Sequence, residues 1–446
     1  MFTKKQVWAL LIPLMIEQLL NSLMGTADTM MVTSAGSVAI SAVSLVDSIN
    51  ILVIFVFSAM AAGGSILCSQ YLGRRQLPQA NAVGRQLILT VTVLSLAVMV
   101  LFILLRGPML RLIFGQVEEE VMANSLIYLF ITALSYPFIA LYNAGAALFR
   151  AGGNSRLPML ISTVSNLLNI AGNAVLIFGL GLGVAGAALA TLLSRVVCAV
   201  AVLYFLRLPR QDIVVRDYLS IRPDFPVIWN ILAVGIPTGV ENGMFQFGKL
   251  AIQSTVSTMG TTAIAAQAMT AMLEQVTSNA PLGIGMGMMT IVGQCMGAGR
   301  EDEARQSIRH ITFYGFVTLA VSCVCAALLI RPITLLSGME PAAADMAVRL
   351  TWLICLVKPI PWTFSFLPAY GMRAAGDVRF SMLVSTVSMW TCRVSITVAL
   401  VHFFGFGPLA VWLGMFTDWS VRGVIFLHRF LSNRWMEHSV IREKKE

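Results

Sequence analysis

Glu17, Asn21, Met24 and Asp28 stand at i, i+4, i+7 and i+11, a spacing that puts them along one face of a helix. Carboxylates and an amide on one stripe can exchange protons or hold a cation. A second stripe carries Asn166, Asn169 and Asn173, with Ser162 on the same face. Beside an aspartate, such an amide ladder coordinates a cation or relays a proton. A third has Asn242, Gln246, Lys249 and Gln253, with Glu241 at its flank. A fourth has Gln267, Thr270, Glu274 and Ser278 and ends at Pro281. A lysine among glutamines needs a carboxylate or water, so Glu274 or Glu241 is the expected partner of Lys249. The plainer alternative for every stripe is interhelical hydrogen bonding that only holds helices together.

These polar groups interrupt a very apolar chain. Of 446 residues, 57% are apolar and 11% charged, and mean hydropathy is +0.82. Soluble domains carry about 25% charged residues, and one core stops growing near ~250–300 residues. A soluble enzyme, a disordered regulator and a secreted disulfide scaffold are excluded. At ~20 residues per span, the apolar content matches about twelve membrane crossings. Apolar blocks place them at 7–32, 44–70, 86–106, 121–148, 157–178, 184–206, 227–257, 262–294, 308–330, 343–370, 380–402 and 408–431. Pro13, Pro137, Pro237, Pro281, Pro359 and Pro361 fall inside blocks and mark expected kinks. An ionisable group in such a span is a functional candidate by default. Here these are Glu17, Asp28, Asp47, Glu241, Glu274 and Asp418 with Arg195, Lys249, Lys358, Arg393 and Arg422. Arg422 is expected to snorkel to a span end.

The net charge of +9 is placed by topology and does not point to nucleic acid. With the N-terminus inside, 21 of the 30 Lys and Arg fall in cytoplasmic segments and 4 outside. That bias sets both termini in the cytoplasm. The run after Lys4 and Lys5 contains Glu17 and Asp28 and lacks a small-residue cleavage site, so it reads as an uncleaved first span. The seven cysteines form no C-x-x-C pair, and His310, His402, His428 and His438 are scattered. The reading is neither a disulfide framework nor a metal site. Gly181–Gly186 spells G-x-G-x-x-G, but after a membrane span rather than a strand. It reads as a tight external turn. No Walker A sequence or nucleophile motif appears, so no enzyme and no cofactor is expected.

Sliding the chain on itself by 224 residues reveals a repeat. Between 9–85 and 233–309 there are 15 identities in 77 positions, among them Pro13 with Pro237, Glu17 with Glu241 and Gln70 with Gln294. Pro137 meets Pro361, and after a one-residue slip Arg150–Arg156 meets Arg373–Arg379. The expected organisation is an all-α polytopic membrane protein: a six-helix lobe at 1–206, a cytoplasmic linker at 207–226, a second lobe at 227–431 and a charged tail at 432–446. Two pseudo-symmetric bundles around a central cavity suit a carrier that rocks about one site.

At these motifs the chain resembles the multidrug and toxic compound extrusion (MATE) family. Pro13 is followed by Ala27-Asp28-Thr29, similar to that family's P…VDT pattern. Gly293-Gln-Cys-Met-Gly-Ala-Gly299 and Ser69-Gln-Tyr-Leu-Gly73 are similar to its paired loops, and the R-A-x-G-[DN] turn occurs twice. The stretch 169–191 resembles its N-I-x-x-D-P…G-A-A-x-A-T signature. The resemblance implies cation-coupled export of organic, often cationic compounds. It assigns a cation-coupling site to Asp28, Asn169, Asn173 and Thr191, with Asn173 where one branch carries Asp. The family's seventh-span Glu falls on Phe245, which leaves Glu241, one turn earlier, as the substitute. Asp377 matches an acidic position in the tenth-span turn.

The expectation is a plasma-membrane antiporter, a monomer that exchanges a small organic molecule for H⁺ or Na⁺. Asp28 would take up the ion, Pro13 would serve as hinge, and Glu17, Asn21, Glu241, Gln246, Lys249 and Glu274 would line the cavity. Any metal would be Na⁺ at Asp28, Asn169, Asn173 and Thr191. Two rivals stay open. Lys249, Lys358 and Arg393 fit a flippase or exporter of a lipid-linked or anionic substrate. A receptor or channel fits the duplication poorly.

Overall fold

The computed structural model describes residues 2–115 and 117–438. Every regular element among them is helical. Chain order gives α1 (Lys4–Thr33), α2 (Ser37–Gly73), α3 (Leu77–Phe114), α4 (Glu119–Leu134), α5 (Tyr136–Ala151), α6 (Arg156–Asn173) and α7 (Gly183–Leu206). After the linker come α8 (Phe225–Val256), α9 (Thr261–Gly297), α10 (Glu301–Leu336), α11 (Pro341–Val357), α12 (Pro359–Ala375), α13 (Val378–Ser388), α14 (Ser395–Phe404) and α15 (Leu409–Leu431). Six-residue π-helical stretches follow α6 (Ala174–Gly179) and α13 (Met389–Val394). Residues 439–446 of the expected charged tail lie outside the described residues.

Each of the twelve apolar blocks coincides with a helical rod. Eight helices are long and apolar enough to cross a membrane, and two bent pairs bring the number to ten. The remaining two rods, α8 and α9, are 32 and 37 residues long. Their apolar character is diluted by Glu241, Gln246, Lys249 and Gln253 in one and Gln267, Glu274 and Asn279 in the other. The bent pairs are α4–α5, turned by 43°, and α11–α12, turned by 58°. Pro137 and Pro359 stand at the first turns of α5 and α12. Proline has no N–H to give the preceding turn, so each rod breaks there. Pro13, Pro237 and Pro281 lie inside unbroken helical segments.

Packing divides the chain into Leu19–Gly239 and a unit made of Met1–Gln18 with Val240–Glu446. The sequence repeat draws its line at the linker, whereas packing draws it inside α1 and α8. The first half of α1 is packed among helices of the second repeat. Leu11 and Leu14 are fully buried with Ile284, Met288 and Trp362. In the other unit the start of α8 does the reciprocal thing: a Cβ at Gly63 would lie 2.6 Å from the Ile231 carbonyl oxygen. The linker is part of that unit. Ile213 and Val215 are buried, Asn81 Oδ1 accepts Val214 N–H at 2.9 Å, and Gln86 Nε2 donates to the Arg222 carbonyl at 2.8 Å.

Gly283 tests the α1 exchange. A Cβ there would lie 2.7 Å from the Leu14 carbonyl oxygen and 2.9 Å from the Met15 nitrogen. Backbone cannot swing aside as a side chain can. Gly283→Ala is expected to destabilise the fold by about 1–3 kcal/mol, the usual range for overpacking. Thermal unfolding in detergent reads this, and an unchanged melting temperature would refute the close approach.

Candidate functional site

Within Leu19–Gly239 the polar stripes of α1 and α6 face each other. Asn21 Oδ1 accepts hydrogen bonds from Ser162 Oγ at 2.9 Å and Asn166 Nδ2 at 2.8 Å. Two turns along, Asn173 Nδ2 donates to Asp28 Oδ1 and reaches Asn169 Oδ1 at 3.5 Å. Asn169 Nδ2 donates to Thr191 Oγ1 of α7 at 3.2 Å. Helical spacing explains the ladder: 162, 166, 169 and 173 recur every three or four residues, as do 21, 24 and 28. The π-helical stretch begins at Ala174, directly after Asn173.

Asp28, Asn169, Asn173 and Thr191 therefore form one chain of side chains across three helices. Asn173 is fully buried, and its Oδ1 has no hydrogen-bond partner among the described residues. A buried acceptor without a donor is costly. A half-turn of the amide presents this oxygen to the carboxylate, where it accepts from a protonated Asp28 or joins a cation's oxygen ligands. One carboxylate, two amides and a hydroxyl are hard oxygen donors, suited to H⁺ or Na⁺.

The second unit holds the other expected cavity residues, and its pairings differ from expectation. Glu274 pairs with Lys358, not Lys249. The Lys358 ammonium is fully buried, 2.9 Å from Glu274 Oε1. It also donates to the Glu274 carbonyl at 2.8 Å, Thr277 Oγ1 at 2.8 Å and Ser278 Oγ at 2.7 Å. The reason is local: Lys358 sits at the α11–α12 break, against the face of α9 carrying 274, 277 and 278. Glu241 accepts from Arg373 Nη2 at 2.6 Å, while Arg373 Nε donates to Ser381 at 2.9 Å. Lys249 thus has neither expected partner. Its ammonium lies 5.2 Å from the Phe245 ring centre, and Arg393 lies over the same ring at 5.0 Å.

Glu17 is buried in this unit too, whereas Asn21 and Asp28 belong to the other. Gln246 is half-buried. Arg422 does not snorkel. It is buried, donates to Ser365 Oγ at 2.6 Å and lies 4.3 Å from the Phe366 ring centre. The reason is that its stretch of α15 packs against α12. Asp377 is buried in an ion pair with Arg429 at 2.9 Å. It ties the turn before α13 to the end of α15.

Asp47 and Arg195 were expected only as single ionisable candidates; the residues gathered around them were not. In Leu19–Gly239, Asp47 and Asn50 of α2 meet Tyr128 of α4 and Tyr136 of α5. Asp47 Oδ1 accepts from Asn50 Nδ2 at 3.1 Å and Tyr128 OH at 3.2 Å, and Asn50 Oδ1 accepts from Tyr136 OH at 2.8 Å. Arg195 Nη1 donates to Ser135 Oγ at 2.7 Å. The available signal was the i, i+3 spacing of Asp47 and Asn50 in an otherwise apolar helix.

The MatE family model matches twice, at residues 13–175 and 237–399, a displacement equal to the internal repeat. An uncharacterized transporter, YisQ of Bacillus subtilis (strain 168), is 24% identical over 437 residues, covering 95% of this chain and 93% of its own. The probable multidrug resistance protein NorM of Thermotoga maritima is 25% identical over 449 residues, covering 99% and 95%. A crystal structure of MATE in complex with MaL6 shares the fold with a TM-score of 0.90 over 96% of both chains, at 19% identity.

Proposed function

The chain belongs to the MatE family, a multi-pass membrane transporter and not an enzyme, and from that membership we propose that it is an antiporter that exports organic compounds. It exchanges them for H⁺ or Na⁺ by alternating access. The single observation that carries this reading is the chain Asp28–Asn173–Asn169–Thr191 inside an apolar helical unit. With both termini cytoplasmic, the ion enters from outside and neutralises Asp28. The ionised form of Asp28 favours a bound organic cation, and the neutral form releases it. Ion and substrate thus compete for one charge, which is what obligatory exchange requires. Pro13, in the half of α1 that belongs to the other unit, removes one helix hydrogen bond and serves as the hinge. The working unit is a monomer in the plasma membrane.

Uptake of ethidium into proteoliposomes of purified protein, under an imposed H⁺ or Na⁺ gradient, tests this. Movement under one gradient alone supports antiport and identifies the ion. Movement at the same rate without a gradient refutes it.

A second reading has its own support. Lys249 has no ion-pair partner among the described residues, so an anionic group on the substrate would find a cation waiting. Lys249→Gln separates the two. For an organic cation, uptake is expected to stay within about twofold, ~0.4 kcal/mol of lost binding. Transport of an anionic dye by the wild type, lost in the variant, would favour the anion exporter.

A further inference from the structure

Both donors that reach Asp47, from Asn50 and Tyr128, converge on Oδ1. Its Oδ2 accepts no hydrogen bond from the described residues and is free to carry a proton. Asn50, Tyr128 and Tyr136 are buried around it. Charged and titratable groups gather round it from four elements: Tyr128 of α4 by a direct hydrogen bond, Tyr136 of α5 through Asn50, Arg195 of α7 held on Ser135 beside Tyr136, and Asp28 of α1, one turn before Val32, which packs with Val46 and Tyr128 in one buried cluster. The nearby α3 brings Arg106, but its guanidinium lies over the Phe130 ring at 4.6 Å. Arg195 is within Coulombic reach of both Asp28 and Asp47. It forms an ion pair closer than 4 Å with neither, and is held by Ser135 instead.

Charge counting then decides what the cluster needs. Two ionised aspartates and one arginine leave a net charge of −1 inside the membrane, where an uncompensated charge is expensive. One monovalent cation brings the cluster to neutrality. The buried, unpartnered Asn173 Oδ1 beside Asp28 is a second sign that a positive group is missing from the network.

We propose that Asp47 is a second member of the coupling centre, sharing one exchangeable proton with Asp28 through their common counter-charge, Arg195. This inference rests on the reading of Asp28 as the coupling carboxylate. Arg195 sets the stoichiometry: with it present, two carboxylates hold one proton between them. Asp47 is thereby a landing place for the proton on another helix, one that α1 movement need not carry.

The test counts protons in purified protein in Na⁺-free detergent solution, by indicator-dye back-titration between acid and alkaline pH. Relative to wild type, Asp47→Asn is expected to lose one proton, because Asp28 and Arg195 then cancel. Asp28→Asn loses one for the mirrored reason. The double variant Asp47→Asn/Arg195→Gln restores a net −1 and is expected to recover that proton. In proteoliposomes with a gradient, Asp47→Asn cuts ethidium uptake at least tenfold, and the double variant recovers most of it. A merely structural Asp47 would make the double variant as poor as the single or worse, and that result overturns the proposal. So does an unchanged proton count in Asp47→Asn that elutes as a monodisperse peak. The count does not depend on transport, so failure of the antiport reading would show separately, as ungated ethidium movement in the wild type.

Discussion

Asp28→Asn is expected to abolish gradient-driven ethidium uptake, by more than about tenfold, the factor given by ~1.4 kcal/mol of lost differential binding. The substitution is nearly isosteric. The Asn side-chain oxygen can still accept from Asn173 Nδ2, which now donates to Asp28 Oδ1, so the α1–α6 contact survives. Only the exchangeable charge is removed. Ethidium binding to the detergent-solubilised variant separates the possible outcomes. If ions and substrate compete for this carboxylate, the variant loses both coupling and the ion dependence of binding. Retention of wild-type uptake would mean that the amide chain only holds helices together. The same assay on Asn173→Asp is instructive, since it adds a carboxylate where the buried Oδ1 lacks a partner.

The twelve rods and the duplication were legible because both depend on properties read along the chain. Apolar run length gives a membrane helix, and proline marks the break at Pro137 and Pro359, though not at Pro13, Pro237 or Pro281, where the helix runs on. The α6 ladder was legible too, because 162, 166, 169 and 173 share a face whatever the neighbours are. What faces a stripe is a different matter. Lys358 and Glu274 are 84 residues apart, and which of several cations meets Glu274 depends on how α11 and α12 bend against α9. Arg422 looked like a span-end residue because its distance along the helix was visible and its contact with Ser365 was not. The exchange of the first halves of α1 and α8 is likewise hidden, since both segments are apolar and would suit either bundle. Asp47 was visible as a charge but not as part of a site, because its partners Tyr128 and Tyr136 are ordinary interfacial residues until α4 and α5 bring them to it.

Lys358→Met is expected to destabilise the protein by about 3–5 kcal/mol, the range for stripping one partner from a buried ion pair. The ammonium is fully buried and supplies four polar contacts to α9. Without it, Glu274 keeps only the Ser278 hydroxyl, which donates to Oε1 at 2.9 Å. The repeat indicates that the charge itself is dispensable for shape. A shift of 224 residues carries Asn50 onto Glu274, and at the matching α4–α5 bend Asn50 accepts from Tyr136 at 2.8 Å. One half ties its bend with a neutral amide and phenol, the other with a lysine and glutamate. Lys358→Met/Glu274→Met should therefore recover most of the lost stability, since apolar replacement of a buried pair is often neutral or better. Thermal unfolding of the four proteins in detergent gives the coupling energy directly. Additive losses in the double variant would show that Lys358 and Glu274 act independently and that the bend is held by something else. If stability returns but gradient-driven uptake does not, the ion pair serves the transport cycle rather than the fold.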